Sequence, residues 1–171
     1  MKESLLNSKR ILAVDDEPDV LELIKEEILG AAPNCVLDTA TTYEGALELM
    51  ASWTYDLVIL DIMGVRGFDL LGLAVKREYP FPTVILTAHA LSPEFLRKSI
   101  EMGARAYLPK QALGALVPFL EDVLTYEYGA VWRRVLKQFE GVFSKGWGAY
   151  WRQPDEAFWK EFEAKIEAEK K

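Results

Sequence analysis

The amino-acid sequence predicts an α/β fold, in which a doubly wound parallel sheet of five strands is followed by an α-helical C-terminal extension. Between residues 10 and 126, short apolar runs alternate with segments whose apolar residues recur at helical spacing. This alternation is the pattern of parallel strands joined by helices. Residues 127–171 lack such runs and place aromatic residues at helical spacing instead, which indicates amphipathic helices.

Each element has its own signal in the sequence. Apolar runs predict strands at 10–14, 35–40, 56–60, 82–87 and 104–108. Helical spacing predicts helices from about residue 18, at 43–52, 67–78 and 93–102, and from about residue 113. Pro18 and Pro93 both fall in a first helical turn, where proline is well tolerated.

Composition favours a cytoplasmic protein. The chain has 171 residues, one cysteine and a net charge of −7, so an internal disulfide is excluded and nonspecific binding to nucleic acid or anionic lipid is disfavoured. The first residues lack the apolar core of a signal peptide, and no apolar run reaches the roughly 20 residues that cross a bilayer. We expect no membrane partner.

The two parts of the chain differ in charge and in aromatic content. Residues 1–122 hold 11 Lys and Arg against 19 Asp and Glu, whereas residues 123–171 hold 9 against 8 and carry 11 of the 20 aromatic residues. We therefore predict a domain at 1–126 and a helical extension at 127–171. In the extension, a helix that continues the fifth one to about residue 143 would be broken by Gly146 and Gly148, and a second helix would begin near Pro154.

Polar residues lie where predicted strands end. Asp15, Asp16 and Glu17 follow the first strand, Asp61 follows the third, Thr87 ends the fourth and Lys110 follows the fifth. Because parallel strands bring their carboxyl ends to one edge, these side chains can converge there. Each residue taken alone is ordinary, but the ordered set indicates a site. Carboxylates suit Mg²⁺, and the lysine and threonine suit a phosphoryl group.

The segments "ILAVDDEPDV", "DLVILDIM", "VILTAHA" and "AYLPK" resemble, in order and near spacing, the receiver domain of bacterial two-component response regulators. The resemblance covers about residues 9–126 and implies the flavodoxin-like receiver fold. It also implies that Asp61 is the phosphoacceptor. The domain would catalyse transfer of the phosphoryl group to its own Asp61, forming an acyl phosphate, and would not turn over an external substrate.

The family's other site residues can be placed one by one. Asp16, Asp61 and the backbone carbonyl of Met63 would ligate Mg²⁺, with Asp15 acting through water. Lys110 would pair with Asp61 and then with the phosphoryl group.

The phosphoryl group would also be bound by Thr87 and by the backbone amide of Ala88. The movement of Thr87 toward it would vacate space for Tyr107, the aromatic residue of the switch.

The sequence also departs from the family pattern. The loop "IMGVRG" after Asp61 is about two residues shorter than usual and contains Gly64 and Gly67 but no proline, so the position of the Met63 carbonyl is open. Pro109 precedes Lys110 instead of following it. The only histidine, His89, is expected to be exposed in a loop. An apolar Met63 should orient an attacking water poorly, which predicts a persistent phosphorylated state.

The predicted function is a response regulator that receives its phosphoryl group from a sensor histidine kinase or phosphotransfer protein and signals through protein–protein contacts to an output partner. Two alternatives remain open: a DNA-binding regulator that uses the C-terminal helices, and a non-phosphorylated receiver-like scaffold. The extension has no basic stripe, so nucleic-acid binding is not expected. Its aromatic residues would dock onto the domain, form a homodimer or bind another protein.

Overall fold

A computed structural model describes residues 2–88 and 92–169. Its sheet contains five strands that are all parallel, in the order β2-β1-β3-β4-β5. The strands are β1 Arg10–Val14, β2 Val36–Ala40, β3 Leu57–Leu60, β4 Thr83–Thr87 and β5 Ala106–Pro109. The predicted doubly wound sheet is confirmed.

Seven α-helices and two short 3₁₀ helices complete the described chain. The α-helices are α1 Pro18–Ala31, α2 Tyr43–Ser52, α3 Gly67–Val75, α4 Pro93–Glu101, α5 Leu116–Thr125, α6 Tyr128–Trp147 and α7 Glu156–Ala168. The 3₁₀ helices are Lys110–Ala115 and Gln153–Asp155. Within the described ranges, no helix has both the length and the apolar character needed to span a bilayer.

Helix boundaries in the second half of the chain differ from those predicted. The fifth helix does not continue into the extension, because Tyr126 takes an extended conformation with φ −97° and ψ 156° and lets α6 turn back onto the sheet. Gly146 does not break α6, which continues to Trp147 and ends at Gly148 with φ +93°. Glycine alone weakens a helix by only about 1 kcal/mol, so packing of the last turn overrides it.

The centre of the sheet explains the apolar run that precedes Asp61. Every residue of β3 is buried, as is every residue of β4, because helices cover both faces. The edge strand β2 is more exposed, and Val36 is 46% exposed. The buried central strands therefore deliver their terminal side chains to a fixed position at the carboxyl edge.

Most aromatic residues of the extension are covered by the chain itself. Eight of them form what we call the aromatic cluster: Trp132, Phe139, Phe143, Trp147, Trp151, Phe158, Trp159 and Phe162. Trp132 is fully buried, and its Nε1 donates a hydrogen bond to the carbonyl of Ala104, before β5, at 3.2 Å. The Arg97 side chain in α4 also pairs with Asp155. Of the three arrangements open from the sequence, the described residues adopt docking in cis.

Candidate functional site

Three carboxylates gather at the carboxyl edge of the sheet. Asp15 and Asp16 follow β1 and Asp61 follows β3, and one carboxylate oxygen from each lies within 4.8 Å of the others. Asp15 and Asp61 are 1% and 5% exposed, whereas Asp16 is open to solvent. Oxygen ligands at this spacing suit a divalent cation.

The backbone ladder of the sheet fixes the two buried aspartates. Strands β1 and β3 are neighbours, with Val14 opposite Leu60. One residue further on, the N–H of Asp61 donates to the carbonyl of Val14 at 3.0 Å, and the N–H of Asp15 donates to the carbonyl of Ala40 at 3.1 Å. Because the hydrogen bonds continue past the strand ends, both carboxylates project from ordered backbone.

Lys110 reaches this cluster from the end of β5. Its Nζ lies 2.9 Å from Asp15 Oδ2, 3.1 Å from Glu17 Oε1 and 3.6 Å from Asp61 Oδ2. The Lys110 side chain is 14% exposed, whereas that of Glu17 is 63% exposed. The buried end of the lysine is therefore held between the predicted phosphoacceptor and two other acids.

Burial and mutual repulsion shift the pKa values of the site. Burial raises the pKa of Asp61 to about 6, and the charges of Asp15 and Asp16 add to the rise while Lys110 opposes it. Burial also raises the pKa of Asp15, against an opposing hydrogen bond from Lys110. For Lys110, burial alone would lower the pKa, but hydrogen bonds to Asp15 and Glu17 outweigh burial and the net shift is upward. One lysine leaves these acids under-neutralised, so the residues fit a bound divalent cation.

The shortened loop after Asp61 folds tightly against the acids. Gly64 has φ +83°, and a Cβ there would overlap the Asp16 carboxylate. A Cβ on Gly67 would overlap the carbonyl oxygen of Asp61. Both positions therefore need glycine. The backbone next to Met63 lies against Asp16, while the Met63 side chain is 55% exposed.

Thr87 and Tyr107 form a buried pair beside the acidic cluster. Thr87 ends β4 and lies opposite Pro109 of β5, two residues after Tyr107. Both side chains are buried, and burial raises the pKa of Tyr107 while a hydrogen bond with the Thr87 side chain lowers it. Ala88 follows on the exposed side. His89 lies outside the described residues.

The structure thus brings together Asp15, Asp16, Asp61 and Lys110, with Thr87 at the adjoining strand end. Sequence reasoning missed two contacts of these residues. It placed Glu17 with the aspartates at the end of the first strand, but it did not predict the pairing of Glu17 with Lys110, which the charge of Glu17 could have suggested. Phe143 packs against Tyr107, and no local signal connects residues so far apart in the chain.

The fold and site together define a class of protein, a parallel α/β domain with a pocket of three carboxylates and a lysine at its carboxyl edge. The family model of the response regulator receiver domain matches residues 11–117. The chain belongs to that family, as its sequence predicted.

Two curated relatives and one solved structure show how far the similarity extends. The sensory transduction protein LytR of Staphylococcus haemolyticus is 38% identical over 106 residues, which cover 59% of this chain and 39% of that protein. The transcriptional regulatory protein CpxR of Escherichia coli is 32% identical over 127 residues, or 73% of this chain and 50% of that protein. The chain spans half or less of the length of both. A response regulator structure from Thermotoga maritima has a TM-score of 0.61 at 16% identity, covering 69% of this chain and 98% of the other, and shows the fold alone.

Proposed function

We propose that Asp61 accepts a phosphoryl group from the phosphohistidine of a sensor histidine kinase or phosphotransfer protein. The observation that supports this role is the buried position of Asp61 beside two other carboxylates and the Lys110 ammonium. Membership of the receiver family supports the same role. The reaction modifies the protein itself, so the site does not turn over an external substrate.

In the proposed transfer, an Asp61 carboxylate oxygen attacks phosphorus as the phosphorus–nitrogen bond to the donor imidazole breaks. The products are an acyl phosphate on Asp61 and a free histidine. Lys110 offsets charge on the phosphoryl oxygens, and the Thr87 hydroxyl and the Ala88 N–H donate hydrogen bonds to them. A carboxylate is a weak nucleophile, so this fixed environment has to lower the barrier.

Mg²⁺ is the cation that we propose for the site. Asp16, Asp61 and the Met63 carbonyl would hold it, with Asp15 contacting it through water, and the ion would neutralise charge on the phosphoryl oxygens. The approach of the Gly64 backbone to Asp16 supports a place for this loop beside the cation. The apolar Met63 side chain also supports a slow loss of the phosphoryl group, because it offers no group to orient water.

We propose further that the output is a protein–protein contact. The extension at 127–171 carries 9 basic against 8 acidic residues, and a DNA-binding surface normally has a clear basic excess. Most of its aromatic residues are buried by packing within the chain. The relative CpxR is named as a transcriptional regulator, but half of its length lies outside the match. The division between a domain at 1–126 and an extension at 127–171 remains part of this proposal, as does cytoplasmic function.

Intact-protein mass spectrometry after incubation with Mg²⁺ and acetyl phosphate tests the proposal. We expect the mass to rise by one phosphoryl group in the wild type and to stay unchanged in Asp61→Asn. Asp56→Asn is the matched control, because Asp56 lies just before β3 at the opposite edge of the sheet and should leave the uptake intact.

Absence of uptake in the wild type, together with absence of Mg²⁺ binding by isothermal titration, would reject phosphotransfer and support the scaffold alternative. A mass increase in Asp61→Asn would show that another residue is the phosphoacceptor.

A further inference from the structure

Tyr107 is enclosed between the phosphorylation site and the extension. On one side Tyr107 and Thr87 of the neighbouring strand line the same cavity, and the Tyr107 hydroxyl interacts with the Thr87 side chain. On the other side its ring meets Phe143 of α6 edge-to-face, with centroids 6.1 Å apart and planes at 71°. Tyr107 is 1% exposed and Phe143 is 3% exposed. Contact between α6 and β5 therefore fixes the ring of Tyr107 in its buried position.

Phe143 is itself held firmly by the aromatic cluster. Its ring stacks on Trp147 at 4.9 Å with the planes at 6°, and it meets Trp151 edge-on at 5.7 Å. Near the beginning of α6, the hydrogen bond from Trp132 to the Ala104 carbonyl ties the helix to the segment just before β5. Phe143 thus transmits the position of a packed helix and does not simply adapt to Tyr107.

The space around this contact allows a second arrangement of the side chains. A cavity of about 580 Å³ is bordered by Thr87 and Tyr107 on the sheet and by Phe143 and Trp147 on α6. The Thr87–Tyr107 pair is consequently close-packed on one side and next to open volume on the other. The Tyr107 ring has room to move if Phe143 no longer restrains it.

We propose that Phe143 is a positioning residue for phosphoryl transfer at Asp61, acting through Tyr107 on Thr87. This inference rests on the proposed function of Asp61. Phe143 keeps the Tyr107 ring inside, and the Tyr107 hydroxyl keeps the Thr87 side chain at the strand end, where the phosphoryl group has to be bound. The Phe143 ring of the extension thereby tunes the chemistry of a site to which its own side chain, which is apolar, contributes no polar atom.

The position of the Tyr107 ring indicates whether the docked extension favours or disfavours phosphorylation. The buried Tyr107 position, which Thr87 was expected to free only on binding the phosphoryl group, is already occupied in the structure. The docked extension therefore favours the arrangement that suits the phosphorylated state. By thermodynamic reciprocity, phosphorylation must stabilise docking of α6 to the same extent that docking favours phosphorylation.

A double-mutant cycle on the full-length protein tests this coupling. The initial rate of phosphoryl uptake from acetyl phosphate is measured for Phe143→Ala with Tyr107 intact and in the Tyr107→Phe background. We expect the substitution to slow uptake by about two- to tenfold when Tyr107 is intact, the size expected of an aromatic pair. Tyr107→Phe lacks the hydroxyl that meets Thr87. In that background we expect Phe143→Ala to change the logarithm of the uptake rate by less than half as much.

Phe162→Ala is the matched control. Phe162 belongs to the same aromatic cluster but packs on Trp132 and Trp159, so its loss should weaken folding without slowing uptake by the folded protein. Phe143→Leu keeps apolar volume but removes the ring edge, and it serves in the same cycle if Phe143→Ala does not fold. An equal slowing by Phe143 and Phe162 substitutions, or an equal Phe143 effect in both Tyr107 backgrounds, would overturn the inference.

Hydrogen exchange provides a readout independent of the uptake rate. With Mg²⁺ and beryllofluoride, a phosphoryl mimic, we expect increased protection of the amides of residues 139–147 in the wild type and no increase in Tyr107→Phe. Unchanged protection in a wild type that does take up phosphoryl would refute the inference and leave the proposed function standing. Failure of the wild type to take up phosphoryl at all would reject both.

Discussion

The acidic site and the aromatic cluster bury opposite kinds of groups within one chain. At the site, carboxylates are placed where burial and neighbouring charges disfavour ionisation, and the pKa of Asp61 rises to about 6 as a result. In the cluster, large apolar rings are removed from water, with Trp132 fully buried and Trp159 2% exposed. The first region costs folding free energy in the absence of a cation, and the second stabilises the fold.

This difference separates the roles of the two regions. Buried like charges persist only where surrounding structure holds them, and in this protein the strand ladder does so. The extension adds a further layer to that support, because it packs on β5 beside Tyr107. Substitutions in each region should therefore change stability with opposite signs.

The largest effect is expected from Trp132→Ala. Removing this fully buried ring leaves a cavity and an unpaired Ala104 carbonyl, which should lower the free energy of unfolding by about 3–5 kcal/mol. Chemical denaturation followed by circular dichroism measures the change. Tyr150→Ala is the control, since Tyr150 is an aromatic residue of the same extension that is 75% exposed, and should change stability by less than about 0.5 kcal/mol. Equal midpoints for the two variants would contradict packing of the extension on the sheet.

The sequence predicted the acidic site better than the aromatic cluster, for a physical reason. Asp61 follows a continuous apolar strand, and the carboxyl edge of a parallel sheet gathers whatever follows its strands. The strand pattern was therefore enough to bring Asp15, Asp61 and Lys110 to one edge.

The cluster shows where sequence reasoning reached its limit. The spacing of Trp132 and Phe139 predicted a buried helix face, but not the surface that buries it. The break at Tyr126 decides that α6 turns back onto β5, and neither glycine nor proline marks it in the sequence. The contact between Phe143 and Tyr107 is a consequence of this turn, so tertiary packing alone produces it.

An intermediate effect, of the opposite sign, is expected from Asp61→Asn in metal-free buffer. Since the pKa of Asp61 rises from 3.8 to about 6 on folding, the native state binds the proton more tightly than the unfolded chain does. Stability contributed by the neutral acid is present below pH 4 and is lost as pH rises to 6. Near pH 7 the variant should therefore be more stable than the wild type by about 1–3 kcal/mol.

Thermal or chemical unfolding at pH 4, 5, 6 and 7 with a chelator measures this difference. The exposed Asp19 in the first turn of α1 provides the control, and Asp19→Asn should keep the slope of the wild type. Added Mg²⁺ should stabilise the wild type more than Asp61→Asn and so reduce the difference in stability between them. A difference in stability that does not vary with pH would show that Asp61 is ionised in the native state from pH 4 to pH 7.

The smallest effect is expected from Arg152→Met in the extension. Arg152 bonds Glu140 at 2.7 Å and Glu163 at 2.6 Å, but these acids are 41% and 39% exposed, so solvent screening limits the loss of stability to about 1 kcal/mol. Burial raises the pKa of Glu140, but hydrogen bonds from Arg152, Trp151 and Ser144 outweigh burial and hold the pKa below 4.5.

A folded-state pKa below that of the unfolded chain contributes stability that is present above pH 4.5 and is lost as pH falls. The difference in stability between the wild type and Arg152→Met should therefore become smaller at acidic pH. At that pH the cost of burying the Asp61 charge also disappears in both proteins. Lys160→Met is the control. It removes a pair with Glu156 in which the lysine and glutamate side chains are 77% and 62% exposed, and it should change stability little at any pH.

The guanidinium of Arg152 also lies over the Trp151 ring, 4.2 Å from its centroid, and the shorter methionine side chain covers less of that ring. A difference that persists at pH 3 would therefore identify packing by Arg152, and not its pairing with the acids, as the source of its contribution.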